Sequence, residues 1–182
     1  PVAKLLAKRP QALILSGGPS SVGGKSSPKL VKAVLEMDVP ILGICYGMQL
    51  LSHAHSGKVV SGKSREYGFC EIEVAEPSGL FSGFEKGQKV PVWRSHGDSV
   101  GAVPPGGRVT ATSEKCVVAF QKDRLHGIQF HPEVAHTPIG KRVLSNFLFS
   151  VCQLKPGWKM TGFLEDKRRE ILNTVGTDSV VG

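Results

Sequence analysis

Through the first third of the chain, short apolar runs alternate with amphipathic stretches. This is the pattern of an α/β layered domain, in which helices separate buried parallel strands. Ala12-Leu13-Ile14-Leu15 predicts a buried strand that runs out into the turn-rich Ser16-Gly17-Gly18-Pro19-Ser20. The spacing of Leu30, Val31, Val34 and Leu35 predicts a helix over 28–36, with Pro28 suited to its first turn. Ile41-Leu42-Gly43-Ile44 predicts a second buried strand, and Met48, Leu50 and Leu51 mark a helix over 48–55. From about Val59 to Phe130 the character turns to β. Phe69, Glu71 and Glu73 alternate with Cys70, Ile72 and Val74, as in a half-exposed strand. Residues 90–93, 109–112, 117–120 and 125–130 are further predicted strands, punctuated by Pro104-Pro105-Gly106-Gly107 and Lys122-Asp123. An amphipathic helix over 139–151 closes the domain. Beyond Lys155-Pro156-Gly157 the sequence turns polar, with a helix predicted over 164–174. The expected organisation is therefore a domain over 1–154 and a linker helix within 155–182.

Bulk properties narrow the class. A chain of 182 residues, 40% hydrophobic and 21% charged, has the make-up of one well-cored soluble domain with a tail. No run approaches the roughly 18 uninterrupted apolar residues of a bilayer span. Pro1-Val2-Ala3-Lys4-Leu5-Leu6 is too short and too charged downstream for a signal peptide. The missing initiator Met reads as a fragment or processed product, and a cytoplasmic home is expected. The net charge of +8 raises the question of nucleic acid. Apart from Lys167-Arg168-Arg169, the basic residues are spread thinly, with few aromatics between them and no stacking platform. A solvated surface, or a face turned toward an acidic partner domain, accounts for the charge. Neither nucleic acid nor membrane is an expected partner. Cys45, Cys70, Cys116 and Cys152 form no CxxC pair, which argues against a disulfide framework and a structural zinc site. Cys70, Cys116 and Cys152 are expected as small core residues. His53 and His55 lie at a predicted helix end without a carboxylate or Cys nearby in sequence, so no metal is expected.

Candidate chemistry begins at Gly43-Ile44-Cys45-Tyr46-Gly47, between a buried strand and a helix. It has the G-x-x-x-G form of a nucleophile elbow with cysteine in place of serine. Glycines at both ends let the strand turn sharply into the helix. The turn pushes the sulfur outward and seats it at the positive end of the helix, where thiolate is favoured. Taken alone, the segment fits equally a buried cysteine before a tight turn. A nucleophile needs a base, and the base an orienting group. His131-Pro132-Glu133 offers both. In extended chain, positions i and i+2 point the same way, and Pro132 is expected to hold the segment extended. His131 then faces the sulfur while Glu133 reaches the imidazole from behind. Alone, the pair is also a solvated His and Glu at a strand end. Backbone amides of Ser16-Gly17-Gly18-Pro19, with that of Tyr46, offer an oxyanion hole whose donors are worth ~2.7–4 kcal/mol each. Gly24-Lys25-Ser26 mimics a phosphate-binding loop, but that motif needs glycine where Pro19 stands, without an N–H and with an obstructing ring. A simple turn is the remaining reading.

These segments, with Ser95-His96-Gly97-Asp98 and Phe130-His131-Pro132-Glu133-Val134-Ala135-His136-Thr137, resemble the class I glutamine amidotransferase family. The resemblance runs from about Pro10 through the Trp158 region and the helix after it. Its Cys-Tyr-Gly-Met-Gln and Ser-His-Gly-Asp forms look like those of members that supply ammonia for making GMP. Members serving anthranilate or carbamoyl phosphate synthesis tend to differ at both. The resemblance implies a flavodoxin-like fold: a mostly parallel central sheet flanked by helices, plus a smaller antiparallel β section. It implies Cys45 as nucleophile, His131 as general base and acid, Glu133 as its orienter, and the amides of Gly18 and Tyr46 at the oxyanion. Gln49, Ser95, Gly97 and Asp98 would hold the α-amino and α-carboxylate ends of glutamine, with His96 equally a structural residue. No cofactor is implied for this domain. ATP and Mg2+ would belong to an ATP-pyrophosphatase synthetase domain in the same protein, where ammonia aminates adenylylated XMP. A homo-oligomer is left open.

Two features depart from the family pattern. Members begin with a strand and helix ahead of the segment equivalent to Pro10-Gln11-Ala12, whereas here only residues 1–9 precede it, so an exposed sheet edge is expected. Residues 175–182 look like the lead-in to the synthetase domain, without its S-G-G-x-D-S loop. Two rival readings remain. A stand-alone γ-glutamyl or peptide hydrolase does not call for the linker helix. A non-catalytic docking module does not call for Cys45, His131 and Glu133 together.

Overall fold

A computed structural model of the chain describes residues 2–114, 116–157, 160–176 and 178, apart from the side chains of residues 62–66. Helix α1 (Val2–Ala7), not foreshadowed by the apolar pattern, leads into β1 (Leu13–Leu15). After a long loop come the single turn α2 (Lys32–Leu35), strand β2 (Ile41–Ile44) and helix α3 (Tyr46–Ala54). The helix expected over 28–36 is thus reduced to its last turn. Val31 is extended, and the Pro28 carbonyl accepts a 2.7 Å hydrogen bond from the Tyr46 hydroxyl instead of closing a helical turn.

Strands β3 (Lys58–Val74), β4 (Lys89–Ala102), β5 (Arg108–Ser113), β6 (Cys116–Lys122) and β7 (Leu125–Ile128) follow. One sheet of seven strands results, in the order β1-β2-β7-β6-β4-β3-β5. The pairs β1–β2 and β2–β7 are parallel, and every pairing beyond β7 is antiparallel. The α/β class stands, but the antiparallel part is the larger one and continues the same sheet. Within the described residues β1 is an edge strand, and Ile14 on it is 46% exposed.

Successive residues of β2 serve opposite faces of the sheet, as the two-residue strand period requires. Leu42 and Ile44 join Phe81, Phe130 and Phe147 in one core layer, while Ile41 joins Met48, Leu51 and Phe120 in the other. Helix α4 (Gly140–Ser145) widens into π-helical turns over Asn146–Val151, where the expected single helix had no break. At that junction Asn146 donates to the carbonyls of Leu80 and Ser82, at 2.8 and 3.0 Å. Helix α5 (Met160–Val175) buries none of its residues. Trp158 and the tail from 177 on, apart from Asp178, lie outside the described residues. No described helix is long and apolar enough to cross a membrane.

The expectation of three core cysteines needs correction. Cys70 and Cys152 are only half-buried at the rim of the core, and Cys116 is exposed. Cys116 opens β6 opposite Ser113 of β5.

Candidate active site

The elbow forms where β2 meets α3. Cys45 adopts φ 51° and ψ −106°, a backbone conformation that side-chain-bearing residues rarely hold. Its N–H donates to the Ile128 carbonyl at 2.8 Å, and its carbonyl accepts from the Gln49 N–H at 3.2 Å. Both flanking glycines are required by space. A Cβ on Gly43 would lie 2.5 Å from the Gly47 backbone, and one on Gly47 would overlap the Leu15 carbonyl oxygen. The helix therefore packs against the bare backbones of β1 and β2. Its first turn places Cys45 at the positive end of the helix dipole.

His131 is carried by the loop after β7. Its N–H donates to the Trp93 carbonyl at 3.0 Å. The Thr137 hydroxyl donates to the His131 carbonyl at 2.6 Å and accepts from the Trp93 N–H at 3.1 Å. One threonine thus clips the loop to β4. Sequence reasoning expected an extended segment through Pro132, and the strand expected over 125–130 stops at Ile128. Pro132 and Glu133 form a turn instead. The turn brings Glu133 back onto the imidazole, with Nδ1 2.7 Å from its carboxylate oxygen Oε1.

Nδ1 faces the carboxylate, and Cys45 and the imidazole meet beside Gly17. Interaction with Cys45 is the largest cause of a His131 pKa raised to about 9. Burial works against it, and the hydrogen bond and charge of Glu133 add to it. The side chain of Glu133 is half-exposed, so it acts as an outer brace. Gly17, in the loop after β1, stands beside both Cys45 and His131. A Cβ there would lie 2.9 Å from His131 Cε1 and 3.5 Å from Cys45 Cβ.

A cavity of about 230 Å³ opens above the sulfur. Gly18, Cys45, Gln49, Ser95, Gly97, Asp98 and His131, all singled out from the sequence, meet on its walls, together with His96 and Tyr67. Tyr46 adjoins through its ring, 3.6 Å from where a Cβ on Gly18 would stand. Ser95, Gly97 and Asp98 belong to β4, not to a loop. Residues 62–65 of β3 bulge out opposite Gly97, and that irregularity turns this stretch to the cavity rim. Asp98 Oδ2 accepts from the Ser21 hydroxyl at 2.5 Å, and its carbonyl accepts from Gln49 Nε2 at 2.7 Å. His96 is buried, and its Nε2 accepts from Arg94 Nε at 3.0 Å. A wider groove of about 760 Å³ lies beyond Tyr67, but neither Cys45 nor His131 lines it.

Sequence reasoning placed Gly17 in the loop beside the site but missed Thr137, Ser21 and Gln129. Only Gln129 left a legible signal, as a polar residue inside an apolar strand end. The Gly24-Lys25-Ser26 segment is a closed turn: the Gly24 and Ser27 amides donate to Ser21 and Gly24 carbonyls of their own loop. Those donors are not presented to a phosphate. No group of three or more His, Cys, Asp or Glu that could hold a metal ion occurs among the described residues. His53 and His55 sit at the end of α3.

An elbow cysteine, an imidazole braced by a carboxylate and a glycine-bearing loop meet at one cavity, the arrangement that thiol acyl transfer calls for. The family model "Glutamine amidotransferase class-I" matches residues 1–151, and the chain belongs to that family. Among curated relatives, GMP synthase [glutamine-hydrolyzing] of Clostridium tetani is 45% identical over 183 residues, covering 99% of this chain and 36% of that protein. The protein of the same name from Thermomicrobium roseum is 47% identical over 173 residues, 94% of this chain and 32% of its own length. The chain thus spans about a third of these relatives. The crystal structure of a glutamine amidotransferase from Thermotoga maritima superposes with a TM-score of 0.62 at 25% identity. It covers 92% of this chain and 70% of that one.

Proposed function

We propose that this chain hydrolyses the side-chain amide of glutamine through a thioester on Cys45 and supplies the ammonia for amination of XMP to GMP. The observation that carries the chemistry is the meeting of Cys45 and His131 at one cavity wall, with Glu133 on the imidazole Nδ1 from behind. The relatives at 45% and 47% identity support the destination of the ammonia.

The reaction follows from the groups in place. Cys45 Sγ, as thiolate, attacks the amide carbon. The developing oxyanion takes hydrogen bonds from the amides of Gly18 and Tyr46. The His131 imidazolium, which its raised pKa keeps charged at neutral pH, gives its proton to the departing nitrogen, and ammonia leaves. The imidazole, now neutral, takes a proton from water as the water attacks the glutamyl thioester, and glutamate is released with the thiolate restored. Glu133 holds the imidazole by Nδ1 throughout. Gln49 and Asp98, with the Ser95–Gly97 stretch, hold the amino-acid end. The opening of about 230 Å³ suits a ligand the size of an amino acid.

Residues 1–154 form the glutaminase unit, and α5 is an arm toward an ATP-pyrophosphatase domain that uses ATP and Mg2+. A reducing cytoplasmic setting suits a mechanism that needs a free thiol at Cys45. The test joins this chain to a synthetase domain and follows GMP formed from XMP and ATP with glutamine as nitrogen donor. Wild type is expected to make GMP. Cys45→Ser is expected to make it only from added ammonia. Equal use of glutamine by both proteins contradicts the proposal.

A further inference from the structure

Gln129 sits at the bend between β7 and His131 and is completely buried. Its backbone N–H donates to the Val118 carbonyl at 2.8 Å. A buried primary amide is costly unless its own donors and acceptor are met. Here Nε2 points at Cys45 Sγ, 3.7 Å away, and Oε1 faces Gln49 Nε2 at 3.5 Å.

One fixed acceptor sets both amide orientations. The Asp98 carbonyl can only accept, and it lies 2.7 Å from the Gln49 amide, so the atom facing it is Nε2. The same NH2 group offers its second hydrogen to Gln129, which must answer with Oε1. The NH2 group of Gln129 is then left with the sulfur as its partner. The sulfur has two competing settings. As a thiol it donates to the Ser95 carbonyl, 3.4 Å away. As a thiolate it can only accept.

We propose that Gln129 is a positioning residue for the nucleophile. Its Nε2–H donates to the Cys45 thiolate, favours that form over the Ser95-bound thiol, and ties the sulfur through Gln49 to the amino-acid end of the cavity. This rests on Cys45 being the nucleophile. The other titratable groups around the sulfur are His131 with Glu133 behind it, His96 and Asp98 from β4, and the phenols of Tyr46 and Tyr67. None of them is altered in the variants below.

In this chain, Gln129→Met removes the donor at similar volume, and Gln129→Glu keeps the shape but sets an acceptor against the sulfur. The rate of Cys45 alkylation by iodoacetamide is followed against pH, beside kcat and KM for glutamine. Gln129→Met is expected to move the alkylation curve about one pH unit upward and lower kcat about tenfold, with KM within about twofold. Gln129→Glu is expected to move the curve further. In the wild type, the Gln129 side-chain N–H resonances are expected to titrate along the same curve, a readout that does not depend on either variant folding. A curve unmoved in a folded variant, or Gln129 resonances indifferent to it, overturns the proposal. If Cys45→Ser still hydrolyses glutamine, the proposed function fails. If Cys45→Ser is inactive and Gln129→Met leaves the curve in place, only the role of Gln129 fails.

Discussion

Cys45 holds its strained backbone, φ 51° and ψ −106°, at a cost of about 1–3 kcal/mol. The surroundings enforce it: its N–H is tied to Ile128, its carbonyl to Gln49, and Gly43 and Gly47 close the turn on either side. Glycine adopts such a conformation with less steric penalty. Cys45→Gly is therefore expected to be more stable than Cys45→Ala by about 1 kcal/mol, the reverse of the usual order, with both variants inactive. Denaturant unfolding measures the difference, and an alanine variant at least as stable as the glycine one argues against a strained elbow. At this scale the sequence was informative where a role depends on local neighbours. Cys45 is flagged by its glycines, and His131 with Glu133 by a two-residue spacing. Thr137 works through Trp93, far away in the chain, so nothing local marked it, and Gln129 showed only as a polar residue at an apolar strand end.

The elements matter through where their ends meet. The loop after β1 brings Gly17 against the imidazole, and Thr137 clips the His131 loop to β4. Gly17→Ala would set a methyl 2.9 Å from His131 Cε1 and displace the ring without touching the core. The expected result is a fall of about 100-fold in kcat for glutamine hydrolysis, since displacements near 1 Å cost that much. Tm is expected to stay close to wild type. Unchanged kcat in a folded variant contradicts the placement of this loop. The strands were legible because their apolar runs are local, with β2 matching its predicted range. The helix over 28–36 was overcalled because the Pro28 carbonyl is claimed by a hydroxyl from α3. The turn at Pro132 was taken for extended chain because Thr137, five residues on, supplies the force that folds it back.

On the scale of the whole molecule, two histidines tilt stability in opposite directions. Burial, with help from Arg108, pushes the His126 pKa down to about 4. The unfolded chain, with histidine near 6.5, then binds the extra proton between about 6.5 and 4, so stability falls as pH drops through that window. His131 is raised to about 9, chiefly by Cys45. Its contribution is complete below about 6.5 and is lost as pH rises toward 9. Stability is expected to peak near pH 6.5 and fall on both sides, with Cys45→Ala flattening the alkaline limb. Thermal melts from pH 4 to 10 check this; an alkaline limb unchanged in Cys45→Ala contradicts the coupling. The α/β class was readable from the alternation of apolar runs. The extent of antiparallel pairing was not, because register between distant strands leaves no local periodicity of its own.

The central claim is that Cys45 and His131 form one reacting pair, and a trapped intermediate tests it most directly. The chain is mixed with glutamine, quenched in acid within milliseconds, digested and examined by mass spectrometry. The expected result is a glutamyl thioester on the Cys45 peptide in the wild type, absent from His131→Ala and from Cys45→Ser. An acyl group on any other residue, or the same labelling of Cys45 without His131, would contradict the account.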